Sequence, residues 1–171
     1  KDKNRWHLAH EGLDREDPAT EPQTEKPGCL EMGVRPIQAP DAPTYVTIDF
    51  EKGVPVAVDG EKMKASDIIR KLNKLGGENG IGLLDIVENR LVGMKDRGVY
   101  ETPGGTILYK AHQLLEMSTI DTDTAHMKSK LAVDLADLVY NGKWFTPLPE
   151  ALSPFAANTR EHVPGGAKQK R

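Results

Sequence analysis

The stretch Asp85-Ile86-Val87-Glu88-Asn89-Arg90-Leu91-Val92-Gly93-Met94-Lys95-Asp96-Arg97-Gly98-Val99-Tyr100-Glu101-Thr102-Pro103-Gly104-Gly105-Thr106 decides how the chain is read. It mixes β-type residues with charges of both signs and four glycines, then runs into a helix start. Period-two alternation sets Leu84, Ile86, Glu88, Arg90, Val92 and Met94 on one face of a strand over about 81–94. A carboxylate and a guanidinium thus interrupt an otherwise apolar face, and a buried charge is costly unless paired or bound. Two readings stand open. In one, Glu88 pairs with Arg90 or Arg97, or with a neighbouring strand. In the other, Glu88 and Tyr100 point into a cleft and hold a small polar ligand. Thr102-Pro103 reads as N-cap and first helical residue. Gly104-Gly105 either opens first-turn N–H groups to an anion or makes a tight turn for close packing.

Working upstream, Thr44 to Phe50 alternates, Glu51-Lys52-Gly53 turns, and Val54 to Val58 returns, an antiparallel hairpin over about 44–58. Pro55 marks the return strand as an edge or a bulge, and Asp59-Gly60 is a turn signal. Ser66 is read as the cap of a helix over about 66–75, with Ile68, Ile69, Leu72 and Leu75 on one face and Gly76-Gly77 at its end. Downstream, Val99-Tyr100 is the companion of the 81–94 strand. Helices follow over about 103–117, 122–140 and 147–161, with Pro154 expected to break the last at Ser153 or to destabilise it. Strands and helices are segregated, so the fold class is α+β. Residues 1–43, carrying Pro18, Pro22, Pro27, Pro36, Pro40 and Pro43, read as a connecting arm over a surface. Residues 44–163 read as one domain, and 164–171 as a disordered basic tail.

Composition excludes several classes. At 171 residues, 29% charged and net −3, the chain has a real core and no nucleic-acid footprint. No apolar run has the length of a membrane span, and no signal-peptide pattern opens the chain. Cys29 is the one cysteine, so no disulfide forms within the chain, which fits a reducing cytosol; with no nearby histidine it is not read as a nucleophile. His7, His10, His112, His126 and His162 show no metal-ligand spacing, so no metal site is expected. Trp6, Trp144 and Tyr140 read as packing residues. The chain opens on Lys1 rather than Met and is read as a fragment or an incomplete reading frame.

The run DIVENRLVGMKDRGVYETPGGTILYKAH, from Asp85 to His112, closely resembles the argininosuccinate synthases. So do NRWHLAHEG near the start, EDP at Glu16–Pro18, FEKGVPVAVDG at Phe50–Gly60, GGENGIG at Gly76–Gly82 and LVYNGKWFTPL at Leu138–Leu148. The resemblance covers roughly Asn4 to Val163. It implies an ATP-dependent carbon–nitrogen ligase of arginine biosynthesis and the urea cycle, joining L-citrulline to L-aspartate with release of AMP and pyrophosphate. It implies a cytoplasmic homotetramer using ATP with magnesium, without nucleic-acid or membrane partners. By position, the family's citrulline-binding Glu and Tyr fall on Glu88 and Tyr100, in binding roles only; no catalytic residue is assigned. A carboxylate can accept from an ammonium or a ureido N–H, and a phenol can donate or accept. Arg97 stands as a supporting residue that braces the loop or pairs with a carboxylate, or else faces solvent.

The sequence also departs from the family pattern. One family serine that touches citrulline aligns before Lys1, and the other aligns with Ala9. The family's Ser-Gly-Gly-x-Asp-type phosphate loop does not occur here, nor does a Walker-type motif. The isolated chain is therefore expected to bind no ATP and to be inactive, contributing part of a citrulline site. The alternative is a non-catalytic interaction or assembly module.

Overall fold

The computed structural model describes residues 1–12, 17–163 and 165–170. Glu16 of the EDP motif, and Pro164 and Arg171 of the expected tail, lie outside the described residues. Among them are four helices and two four-stranded sheets, an α+β arrangement. By contacts the chain forms two units, one of residues 1–46, 63–110 and 169–171, the other of 47–62 and 111–168.

The first unit holds the sheet in the order β1–β2–β7–β6: β1 (Asp2–Lys3), β2 (Leu8–His10), β6 (Leu83–Asn89) and β7 (Lys95–Glu101), every pairing antiparallel. The expected single strand over 81–94 is corrected here. It ends at Asn89, where Arg90 N–H donates to Met94 O at 2.8 Å and Gly93 N–H to Arg90 O at 2.9 Å, closing a turn. Leu91, Val92 and Met94 therefore sit exposed at a hairpin tip instead of continuing an apolar face. The expected arm is also corrected in part: Leu8, Ala9 and His10 are buried in an interior strand of this sheet. Three residues are too short for a period to show in the sequence.

Helix α1 (Ala65–Glu78) starts one residue before the expected cap. Its N-cap is Lys64, without a side-chain bond, and Asp67 in the first turn complements the helix dipole. Ile68, Ile69 and Leu72 form its buried stripe. Gly76 and Gly77 lie inside the helix rather than ending it, and their task is close approach. A Cβ on Gly77 would stand 2.0 Å from Met32 O, and one on Gly76 2.9 Å from Pro103 Cβ. Gly77 O also accepts from Val34 N–H at 3.1 Å, tying the loop to the helix. Helix α2 (Pro103–Thr119) begins in this unit.

The second unit holds most of a sheet in the order β5–β4–β3–β8: β3 (Tyr45–Glu51), β4 (Val54–Val58), β5 (Glu61–Lys62) and β8 (Gly165–Lys170). The expected hairpin is β3–β4. Its register shifts between Asp49 and Phe50, opposite Pro55, so the proline sits at a bulge as its missing N–H requires. Residues 165–170, expected to be disordered, instead form β8. Helices α3 (Thr122–Tyr140) and α4 (Pro147–Glu161) follow the expected spans and pack together. Asp121 caps α3, its side chain accepting from Thr124 N–H at 2.9 Å. α4 runs unbroken through Pro154, correcting the expected break at Ser153. Burial of Pro149 and Thr159 on its packed face offsets the lost backbone bond, which costs about 3 kcal/mol in an unsupported helix.

Candidate functional site

The register of the first sheet sorts the charged residues onto two faces. Leu84 faces Tyr100, Ile86 faces Gly98 and Glu88 faces Asp96 across β6–β7, while Ala9 faces Tyr100 across β2–β7. Side chains alternate along a strand, so Ala9, Tyr100, Gly98, Asp96 and Glu88 share one face. His10, Val99, Glu101, Arg97 and Asp85 share the other.

On the first face the Tyr100 hydroxyl donates to Glu88 and stands 3.2 Å from Glu11 Oε1. The ring of His7 lies 6.5 Å from that of Tyr100, set there by Asn4, whose Oδ1 accepts from Trp6 and His7 N–H. Arg90 completes the border: its Nη2 is 2.9 Å from buried Asp96 and 3.8 Å from Glu11. Glu88 thus pairs with a phenol, and the expected alternatives Arg90 and Arg97 are bound elsewhere. Burial pushes the Tyr100 phenol well above its ordinary range, with the Glu88 hydrogen bond and the Glu11 charge adding to it. Tyr100 therefore stays protonated at neutral pH and acts as a donor. Its single hydrogen can satisfy one of the two carboxylates at a time. The remaining acceptor sites suit a ligand rich in N–H donors.

On the second face Arg97 donates to Asp85 through Nε at 2.9 Å and Nη2 at 2.7 Å, and through Nη1 to the carbonyls of Pro18 and Thr20 at 3.2 and 2.8 Å. The sheet thus brings Glu88 and Tyr100 together and turns Arg97 away from them. Here Arg97 braces the N-terminal segment.

Behind Tyr100 lies a buried network that sequence reasoning missed. Glu101 is 3% exposed and His10 1% exposed. Glu101 Oε1 accepts from His10 Nε2 at 2.7 Å and Glu31 N–H at 2.9 Å; Oε2 accepts from Met32 N–H at 2.7 Å and Gly33 N–H at 3.1 Å. An ionised carboxylate only accepts, so the His10 proton sits on Nε2. Buried Nδ1 has no partner among the described residues. Glu11, His7, His10 and Glu101 all occur in the motifs quoted above. No local period, however, links residues 7–11 with 101 across some ninety positions.

The glycine pair at the start of α2 serves packing. Gly104 N–H donates to Asn73 Oδ1 at 2.9 Å, and a Cβ on Gly105 would stand 2.8 Å from the Trp6 ring. The anion reading loses the Gly104 donor to Asn73. Among the described residues no three His, Cys, Asp or Glu side chains converge as a metal site, and no helix is long and apolar enough to cross a membrane.

The family model described as "Arginosuccinate synthase C-terminal domain" matches residues 1–170. The chain belongs to this family. It is 58% identical over 170 residues to the argininosuccinate synthase of Clostridium botulinum (strain Eklund 17B / Type B), covering 99% of this chain and 41% of that protein. The argininosuccinate synthase of Lachnospira eligens is 57% identical over 168 residues, and that of Acetivibrio thermocellus 58% over 169. These alignments take in 98% and 99% of this chain and 41% of each relative. The chain thus spans about two fifths of the length of these argininosuccinate synthases, at their C-terminal domain.

Proposed function

We propose that this chain supplies the citrulline side of an argininosuccinate synthase, in the ATP-dependent ligation of L-citrulline and L-aspartate in arginine biosynthesis. The observation that carries the reading is the Tyr100 hydroxyl held between Glu88 and Glu11. Citrulline offers an ammonium and ureido N–H groups, the donors this arrangement lacks. The ureido oxygen is a weak nucleophile, so the ligation runs through its attack on the α-phosphate of ATP, departure of pyrophosphate, and displacement of AMP by the aspartate amine. Glu88 and Tyr100 act by binding and orienting the ureido group, a proximity effect rather than proton transfer. The resemblance implies magnesium together with ATP, and the roles given to Glu88 and Tyr100 do not depend on it. A cytoplasmic homotetramer follows from the resemblance; the single cysteine and the exposed apolar side chains of α3 and α4 are compatible with it.

A second reading, a non-catalytic assembly module, is favoured by Trp144, Phe145 and Leu148, which lie 51%, 97% and 52% exposed. Calorimetry with L-citrulline on the chain and on Glu88→Gln separates the two. Binding that Glu88→Gln removes supports the citrulline site. Binding that survives it overturns the role of Glu88, and no binding to either protein leaves the assembly reading for this chain.

A further inference from the structure

We propose that Gly98 is a positioning residue of this site: the space left by its missing side chain is the bed in which the Tyr100 ring lies to reach Glu88. The inference rests on the citrulline reading for its functional consequence, but the geometry stands by itself.

Across the β6–β7 ladder Tyr100 faces Leu84, not Glu88. Glu88 lies two same-face steps further along, opposite Asp96, with the Ile86–Gly98 pair between. Four residues of strand span about 13 Å, so the two side chains meet only by leaning toward each other over that middle pair. The Tyr100 ring does so across Gly98. A Cβ built there would stand 2.5 Å from Tyr100 Cε2, 2.8 Å from Cζ and 2.8 Å from the hydroxyl oxygen. No carbon atom fits at those distances beside a packed ring, and moving the ring away takes the hydroxyl off Glu88. The backbone gives no other reason for glycine: Gly98 is not among the positive-φ residues. A glycine inside a strand weakens it, so alanine at 98 would be the better strand residue were the ring absent. The ladder position, the alternation and the ring contact together assign residue 98 to the placement of the Tyr100 hydroxyl.

The test uses the 171-residue chain carrying ¹³Cζ-tyrosine, with Tyr100→Phe to assign the Tyr100 resonance and Glu88→Gln to show where it moves when the carboxylate bond is lost. Gly98→Ala is expected to move the resonance in the direction of Glu88→Gln. Citrulline affinity should fall about tenfold, the scale of one good hydrogen bond. It should fall little further when Gly98→Ala is added to Tyr100→Phe, where the hydroxyl is already gone. Unfolding of Gly98→Ala is separated from the effect by Tyr100→Ala, a background in which Gly98→Ala is expected to be neutral or stabilising. A Tyr100 resonance unmoved by Gly98→Ala overturns the proposal, as does equal destabilisation by Gly98→Ala with and without the Tyr100 ring. If the resonance moves but neither the unmodified chain nor any variant binds citrulline, the positioning role stands and the citrulline reading falls.

Discussion

Glu101→Gln removes one charge and exchanges one acceptor oxygen for an NH₂ group in a cradle made only of donors. With the NH₂ on the Oε2 side, it faces the N–H groups of Met32 and Gly33, and both lose their acceptor. With the NH₂ on the Oε1 side, it faces His10 Nε2, while Glu31 N–H keeps its 3.1 Å contact to the other oxygen. His10 can then accept only by moving its proton to Nδ1, which is buried without a partner among the described residues. The cheaper arrangement therefore orphans one buried donor, at about 1–3 kcal/mol, and weakens hydrogen bonds whose acceptor was charged. We expect a loss of about 2–4 kcal/mol, and more for Glu101→Ala, which abandons all four donors. Native-state hydrogen exchange at Met32 and Gly33 reads the effect where it arises. Exchange limited by local opening should quicken roughly thirty- to several-hundredfold. Urea unfolding gives the global figure. Unchanged exchange at 32 and 33, with a stability change below about 0.5 kcal/mol, would refute the account of Glu101 as the buried anchor of the N-terminal segment.

Four further outcomes follow. Tyr100 has its proton held more tightly in the folded chain than in the unfolded one, so its contribution to stability is whole below pH 10 and is lost as pH rises past that value. Tyr100→Phe should lose about 0.5–1.5 kcal/mol at pH 7 and show a flatter decline above pH 10 in denaturation series. His112 is held below its ordinary 6.5 by burial, with Lys128 and Arg160 adding to the effect and Glu116 opposing it. Its stabilising contribution is thus present above pH 6.5 and fades as pH falls, a slope that His112→Gln should remove; an identical acid profile for the variant would count against this. Gly77→Ala drives a methyl group into Met32 O and should cost about 1–3 kcal/mol, read as a lower urea midpoint at constant slope. Ala9→Ser places a hydroxyl beside Tyr100 across the ladder and should tighten citrulline binding about two- to tenfold by calorimetry; equal or weaker binding would detach position 9 from the ligand.

The helices were the most legible part of the fold. The apolar spacing of Ile68, Ile69 and Leu72, and the Thr102-Pro103 start signal, act within one or two turns and can be read without knowing what packs against them. The hairpin at 45–58 was legible for the same reason. The stretch 85–106 showed both limits. Its alternation set Glu88 in a strand, with Val99-Tyr100 as that strand's companion, and both lie in paired strands; yet the same alternation ran on through Arg90, Val92 and Met94, because apolar residues at a hairpin tip look no different from those in a strand. At Pro154 the local rule was sound, but helix packing outweighed it.

The α+β class was legible in residue types and short-range spacing, while the family and the placing of Glu88 and Tyr100 as its candidate ligands came from the resemblance of whole motifs. Which face each charge occupies depends on strand pairing between distant parts of the chain. Pairing β2 with β7 brings Glu11 to Tyr100 and His10 to Glu101 across some ninety residues, and pairing β6 with β7 sends Arg97 to Asp85 and away from Glu88. The physical reason is the two-residue period of a strand. Once the register is set, adjacent residues are committed to opposite faces, so Tyr100 meets Glu88 and Glu11 while Glu101 is sealed behind it.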